Sequence, residues 1–156
     1  MARRTKQQIQ EDNDKLIKNK TKALAKLNSH LEEISGLSEE DMSKVNGFIN
    51  LFLKCETVYK TLYPEMKKLK EEYPVDVRKL SFNVQKFETA LRFFGILFDH
   101  EKMNTMFSSK ESYLTCRDKI VHGLEKESIN QVLANYDEMA VTMQELLSNV
   151  AAGQPE

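Results

Sequence analysis

VDVRKLSFNVQKFETALRFFGILFD, residues 75–99, carries the cleanest helical period in the chain. Val77, Leu80, Val84, Phe87, Leu91, Phe94 and Phe98 are spaced alternately three and four apart, the interval that returns a side chain to one face of an α-helix. The spacing predicts one helix from about Val75 to Asp99. Phe82, Phe93, Ile96 and Leu97 widen its apolar surface beyond a single stripe, so this helix should be central, packed on more than one side or supplying an interface.

The flanking segments read as further helices. Before it, a first helix runs from about residue 5 to Ser35 and stops at Gly36. Ile9, Leu16, Leu24, Leu27, Leu31 and Ile34 line one of its faces, and Lys15, Lys18, Lys22 and Lys26 cluster opposite them at 100° per residue. Leu37-Ser38-Glu39-Glu40-Asp41-Met42 marks a second helix start, with Ser38 as cap, acidic residues at the positive end and Leu37 stapled to Met42. Met42, Val45, Ile49, Phe52, Tyr59 and Leu62 give that helix one apolar side, and it should end near Tyr63-Pro64. After residue 99, a fourth helix covers about Met106 to His122, with Leu114, Ile120 and Val121 inward and Gly123 as a left-handed cap. Ser128-Ile129-Asn130-Gln131 reads as a capping box that opens a fifth helix through Leu133, Tyr136, Met143, Leu147 and Val150, with a frayed tail from Ala151.

The expected architecture is all-α, an up-and-down bundle of four to five helices forming one domain over residues 1–150. Composition agrees: 40% of the 156 residues are hydrophobic and 30% charged, with only 5 Gly and 3 Pro to build tight turns. No run approaches the roughly 18 apolar residues of a membrane helix, and the amino terminus lacks a signal-peptide core. No membrane association and a cytoplasmic location are therefore expected. Cys55 and Cys116 read as buried free thiols. The net charge of −1 is uneven, because residues 1–30 hold eight Lys/Arg against three Asp/Glu. An anionic partner for the lysine face follows as one reading and a solvated surface as the other.

Glycine-rich phosphate loops, Cys-x-x-Cys pairs, HExxH helices and nucleophile elbows are absent from the sequence. What stands out is Arg117-Asp118-Lys119-Ile120-Val121-His122, followed by Gly123. His30, beside the lysine helix, and His100, in an expected loop, have no partner at a readable spacing and are expected at the surface. The segment resembles the HEPN superfamily, whose signature is an arginine, a polar residue and a histidine after four to six intervening positions. The long preceding helices and the final helix match that all-helical architecture over most of the chain.

The resemblance implies a metal-independent endoribonuclease of toxin or defence type, needing no cofactor. RNA carries its own nucleophile, the 2'-hydroxyl, so cleavage requires a base that titrates near neutrality and a cation for the phosphorane. His122 suits the first task and Arg117 the second, with Asp118 orienting or neutralising Arg117. The products would be a 2',3'-cyclic phosphate and a 5'-hydroxyl. Five residues place Arg117 and His122 about 140° apart on an ideal helix, and HEPN nucleases resolve this by pairing two motif helices in a homodimer. Lys15, Lys18, Lys22 and Lys26 would then track RNA, or the first helix would serve an antitoxin or inhibitor protein. Many toxin members carry a tyrosine two residues after the histidine, where this chain has Leu124. The alternative is a non-catalytic HEPN-like binding or assembly module.

Overall fold

The computed structural model describes residues 3–153, and every regular element among them is helical. Two compact units divide the chain, one ending at Ser38 and the other beginning at Glu39.

The first unit is a single helix, α1 (Lys6–Ser35). A capping box starts it: the Gln8 amide donates to Thr5 Oγ1 at 3.1 Å while the Thr5 amide donates to Gln8 Oε1 at 2.9 Å. Neither Gly nor Pro interrupts the next 30 residues, and Gly36 follows the last turn. One helix offers no second layer, so its apolar stripe remains exposed, with Ile9, Leu16, Ile17, Leu24, Leu27 and Leu31 at 45–62%. Lys15, Lys18, Lys22 and Lys26 are exposed as well.

The second unit contains α2 (Glu39–Leu69), a 3-10 turn (Val77–Lys79), α3 (Val84–Phe93), α4 (His100–Phe107), α5 (Tyr113–Gly123) and α6 (Lys126–Ala152). The long α2 is its axis, packing most extensively on α6 and also on α3 and α5. Its inward face carries Val45, Phe48, Phe52, Cys55, Tyr59, Tyr63 and Met66. Close approach to α6 requires Gly47, since a Cβ there would meet the Tyr136 hydroxyl at 2.6 Å. An aromatic cluster fills the centre. The Phe52 ring lies 6.4, 6.0 and 5.4 Å from those of Phe48, Phe82 and Phe107, and Phe82 stacks on Phe107 at 4.9 Å.

The expected helix over residues 75–99 is divided by local chemistry. Asp76 caps the 3-10 turn, and Asn83 accepts from the Lys86 amide at 2.9 Å to start α3 afresh. Between these, the Ser81 carbonyl is taken by the Tyr59 hydroxyl at 3.0 Å rather than by a helical amide. Gly95, at φ 70°, ends α3: the Ile96 amide reaches the Leu91 carbonyl and the Gly95 amide that of Arg92, a Schellman closure with buried Ile96 packed below it. The three-four period survives as core only where the helix does, at Phe87 and Leu91, whereas Val77 is exposed.

Other boundaries differ from expectation as well, and the described residues form six α-helices. Pro64 lies inside α2, which continues to Leu69 because Tyr63 and Met66 on either side are buried in the core. The segment expected to open the fourth helix instead ends α4 and turns at Glu111 (φ 44°); Ser112 then starts α5 through a capping box with Thr115. Leu124, at φ 48°, takes the left-handed position assigned to Gly123, and Val121 faces outward at 53% exposure. Helix α6 begins at Lys126, so Ser128 sits in its first turn and donates to Glu125 Oε1. Val132 and Leu146 are the buried positions in place of Leu133 and Leu147, Asn135 departs from helical dihedrals, and α6 extends to Ala152; residues 154–156 of the expected tail lie outside the described residues.

Phe52→Ala should lower the unfolding free energy in urea by about 3–5 kcal/mol, the range for removing a buried aromatic side chain. Both cysteines are buried free thiols, and burial pushes Cys55 up to about 12 and Cys116 up to about 11. Because an unfolded thiol ionises near 9.0, these groups add stability below that pH that is lost as pH rises toward their folded values. The urea midpoint should therefore hold through neutral pH and fall above about pH 9, less steeply in a Cys55→Ala/Cys116→Ala variant.

Candidate active site

Arg117 sits in the middle of α5, on the side that faces α2. Its guanidinium carbon lies 4.8 Å from the centroid of the Phe52 ring, and its side chain is only 16% exposed. A cation placed there needs an anion, because a half-buried charge loses most of its hydration. Glu56, one turn beyond Phe52 on α2 and 12% exposed, accepts from Arg117 Nη1 at 3.0 Å. The other Glu56 oxygen holds Lys60 Nζ at 2.6 Å.

Asp118 completes the neutralisation. Its Oδ1 lies 2.9 Å from Arg117 Nε, an ionic contact without hydrogen-bond alignment, so the fully buried Nε proton has no hydrogen-bond acceptor. The two contacts employ Nη1 and Nε, leaving the Nη2 edge uncommitted by either.

His122 occupies the last turn of the same uninterrupted helix and is exposed. Five residues of ideal helix turn it about 140° from Arg117. One chain therefore does not bring the two motif side chains together: Arg117 points at the α2 boundary and His122 at solvent. Val121, one turn after Arg117, and Leu124, just past the helix, are exposed, and so is Leu53 on α2, one turn before Glu56. Tyr113, one turn before Arg117, is buried edge-on to Phe48, with its hydroxyl against Thr142, and belongs to the core.

The remaining sequence candidates lie elsewhere. The four lysines belong to the first unit, on α1. His100 begins α4 instead of lying in a loop, and it has partners: Nδ1 meets Glu88 Oε1 at 2.6 Å and Nε2 meets Asn104 at 3.1 Å. No group of three or more His, Cys, Asp and Glu suited to a metal ion occurs among the described residues. No helix among them is long and apolar enough to cross a membrane.

Glu56 is the partner of Arg117 that sequence reasoning missed. A signal existed, because at 100° per residue it falls within about 40° of Phe52, on the edge of the stripe that α2 buries. A carboxylate there calls for a cation, but nothing in the sequence says which one across 61 positions.

Glu56→Ala should destabilise the fold by about 3 kcal/mol, since it strands the Arg117 charge. Replacing the pair together, as Glu56→Leu with Arg117→Met, should recover most of that loss, and urea unfolding of the three variants beside wild type measures it. No family model, no curated protein and no solved structure matches this chain.

Proposed function

We propose that the chain is a metal-independent endoribonuclease of HEPN type, acting as a homodimer through α5, with a toxin or defence role. The observation that carries the reading is the motif on one unbroken helix, with His122 and Val121 open to solvent and Leu124 exposed just past its end. An exposed apolar margin around a polar group is what a second copy would cover.

In the proposed reaction His122 of one copy takes the proton from the 2'-hydroxyl, and O2' forms a bond to phosphorus as the bond to O5' breaks. His122 of the second copy gives a proton to the departing O5', leaving a cyclic phosphate and a 5'-hydroxyl. Arg117 stabilises charge on the phosphorane through its Nη2 edge, while Glu56 and Asp118 fix the plane of the guanidinium. The base is a histidine and the nucleophile belongs to the RNA, so the step calls for no metal or other cofactor. Lys15, Lys18, Lys22 and Lys26 supply phosphate contacts, and an antitoxin or inhibitor protein would compete for the same surfaces.

A second reading is favoured by one specific observation, the sequestration of Arg117 between Glu56, Asp118 and the Phe52 ring. In that reading the arginine locks α2 to α5, and the chain is a non-catalytic HEPN-like binding or assembly module.

Purified protein incubated in EDTA with structured and unstructured RNA separates the two. The nuclease reading expects cleavage with cyclic phosphate ends, lowered by at least about 100-fold in His122→Ala with an unchanged urea midpoint. Arg117→Lys, which retains a charge for Glu56 but not the planar fork, should also be impaired. Wild-type activity no higher than that of His122→Ala on every RNA would move the assignment to the binding module.

A further inference from the structure

Glu56, Lys60, Tyr63, Lys67 and Lys70 are spaced four, three, four and three apart, so they follow one another along a single stripe of α2. The stripe begins at the candidate site, where Glu56 holds Arg117 through one oxygen and Lys60, at 2.6 Å, through the other. Lys70, just past Leu69, keeps the helical bond, its amide donating to the Met66 carbonyl at 3.0 Å, before the chain turns at Glu71 (φ 58°).

Rings hold the cations of this stripe in place. The ammonium groups of Lys67 and, from α3, Lys86 each lie 5.6 Å from the centroid of the Tyr63 ring, and that of Lys70 lies 5.5 Å from the centroid of Phe93. An ammonium docked on a ring keeps its charge in one place, which lowers the entropy lost when an anion arrives. Two like charges drawn to one ring also repel each other, and an anion seated between them removes that cost. The nearby carboxylates Glu56 and Glu72 are already engaged, Glu72 with Lys67. No carboxylate among the described residues stands within ion-pair distance of Lys70 or Lys86.

Uncovered aromatic surface accompanies the charge. Phe93 is 42% exposed, and Tyr73, just past the end of α2, is 92% exposed on the rim of a cleft of about 630 Å³ formed with Lys67, Glu71, Glu72 and Pro74. An acidic peptide uses the cations alone, whereas a nucleic-acid strand uses both, phosphates on ammonium groups and bases on rings. Bases inside a duplex are stacked on one another and do not reach such rings, so the fitting strand is unpaired.

We infer that Lys60, Lys67, Lys70 and Lys86, with Phe93 and Tyr73, form a track for single-stranded RNA that leads away from Arg117 along α2. Resting on the nuclease reading, the track specifies the substrate as unpaired RNA and lays one flank of the scissile phosphate over the carboxyl-terminal half of α2.

Fluorescence anisotropy of the full chain with a labelled 2'-O-methylated oligouridylate tests the track, because that RNA lacks the attacking hydroxyl and stays intact. Lys70→Ala/Lys86→Ala should weaken binding at least about tenfold and cut the slope of log affinity against log salt by about 1.4, the value for two phosphate contacts on a single strand. Lys70→Arg/Lys86→Arg, which keeps both charges, should retain the affinity. Tyr73→Ala should cost about fivefold or more, and Lys54→Ala, on the opposite side of α2, less than about twofold. A loss below about twofold in Lys70→Ala/Lys86→Ala, no binding by wild type, or equal affinity for a duplex of the same length overturns the track. Oligoglutamate bound as tightly as the RNA, with Tyr73→Ala silent, overturns it in favour of an acidic peptide. Cleavage of unmodified RNA that His122→Ala abolishes and Lys70→Ala/Lys86→Ala leaves unchanged sinks the track and keeps the nuclease. Lysine-dependent binding with no cleavage upholds the track and defeats the nuclease reading.

Discussion

A guanidinium laid on a phenylalanine ring governs the second unit. Phe52 belongs to the aromatic centre, with Phe48, Phe82 and Phe107 around it, and Arg117 covers its remaining face. Covering an apolar ring with a cation is favourable only where an anion lies within reach. Glu56, on the same helix as Phe52, supplies it at 3.0 Å. Ring, carboxylate and guanidinium therefore fix how α2 meets α5, and with that contact set, His122, about 140° round the helix, falls on the outer side of α5. The same pair that gives the fold its register leaves the motif open in one chain.

That division bears on how such a site would work. A catalytic arginine must be held still, because effective stabilisation of developing charge depends on donors placed before the reaction. Glu56, Asp118 and Phe52 provide such a hold. They also draw down the field of the arginine, since a paired cation presents less net charge than a free one. Both the catalytic reading and the binding-module reading begin from this geometry; they differ in whether the Nη2 edge and a second histidine meet a phosphate.

Turn chemistry, not the hydrophobic period, sets the boundaries elsewhere in the unit. Asn83, Gly95, Ser112 and Leu124 each stop or start a helix, and each does so through a few backbone hydrogen bonds that a period-based reading averages over. Tyr59 shows the tertiary side of the same effect, taking the Ser81 carbonyl from across the core. Pro64 is the converse case. Burial of Tyr63 and Met66 carries α2 straight through a residue that ordinarily ends a helix.

The sequence by itself determined the all-helical class, the extent of α1, the buried free cysteines and the identity of the Arg117, Asp118 and His122 motif. Those follow from composition, unbroken periodicity and local spacing, which involve residues close together in the chain. It also determined that one helix could not bring Arg117 and His122 to the same side, a consequence of 100° per residue. Residues 75–99 divide through local caps at Asp76, Asn83 and Gly95, and only the tertiary structure added the Tyr59 hydroxyl that takes the Ser81 carbonyl from across the core. Only the tertiary structure chose Glu56 as the partner of Arg117, since an ion pair spanning 61 positions is a property of two packed helices and leaves no trace in either one alone. Val121, expected inward, is exposed, because which positions of α5 lie inside depends on the helices packed against it and not on α5 alone.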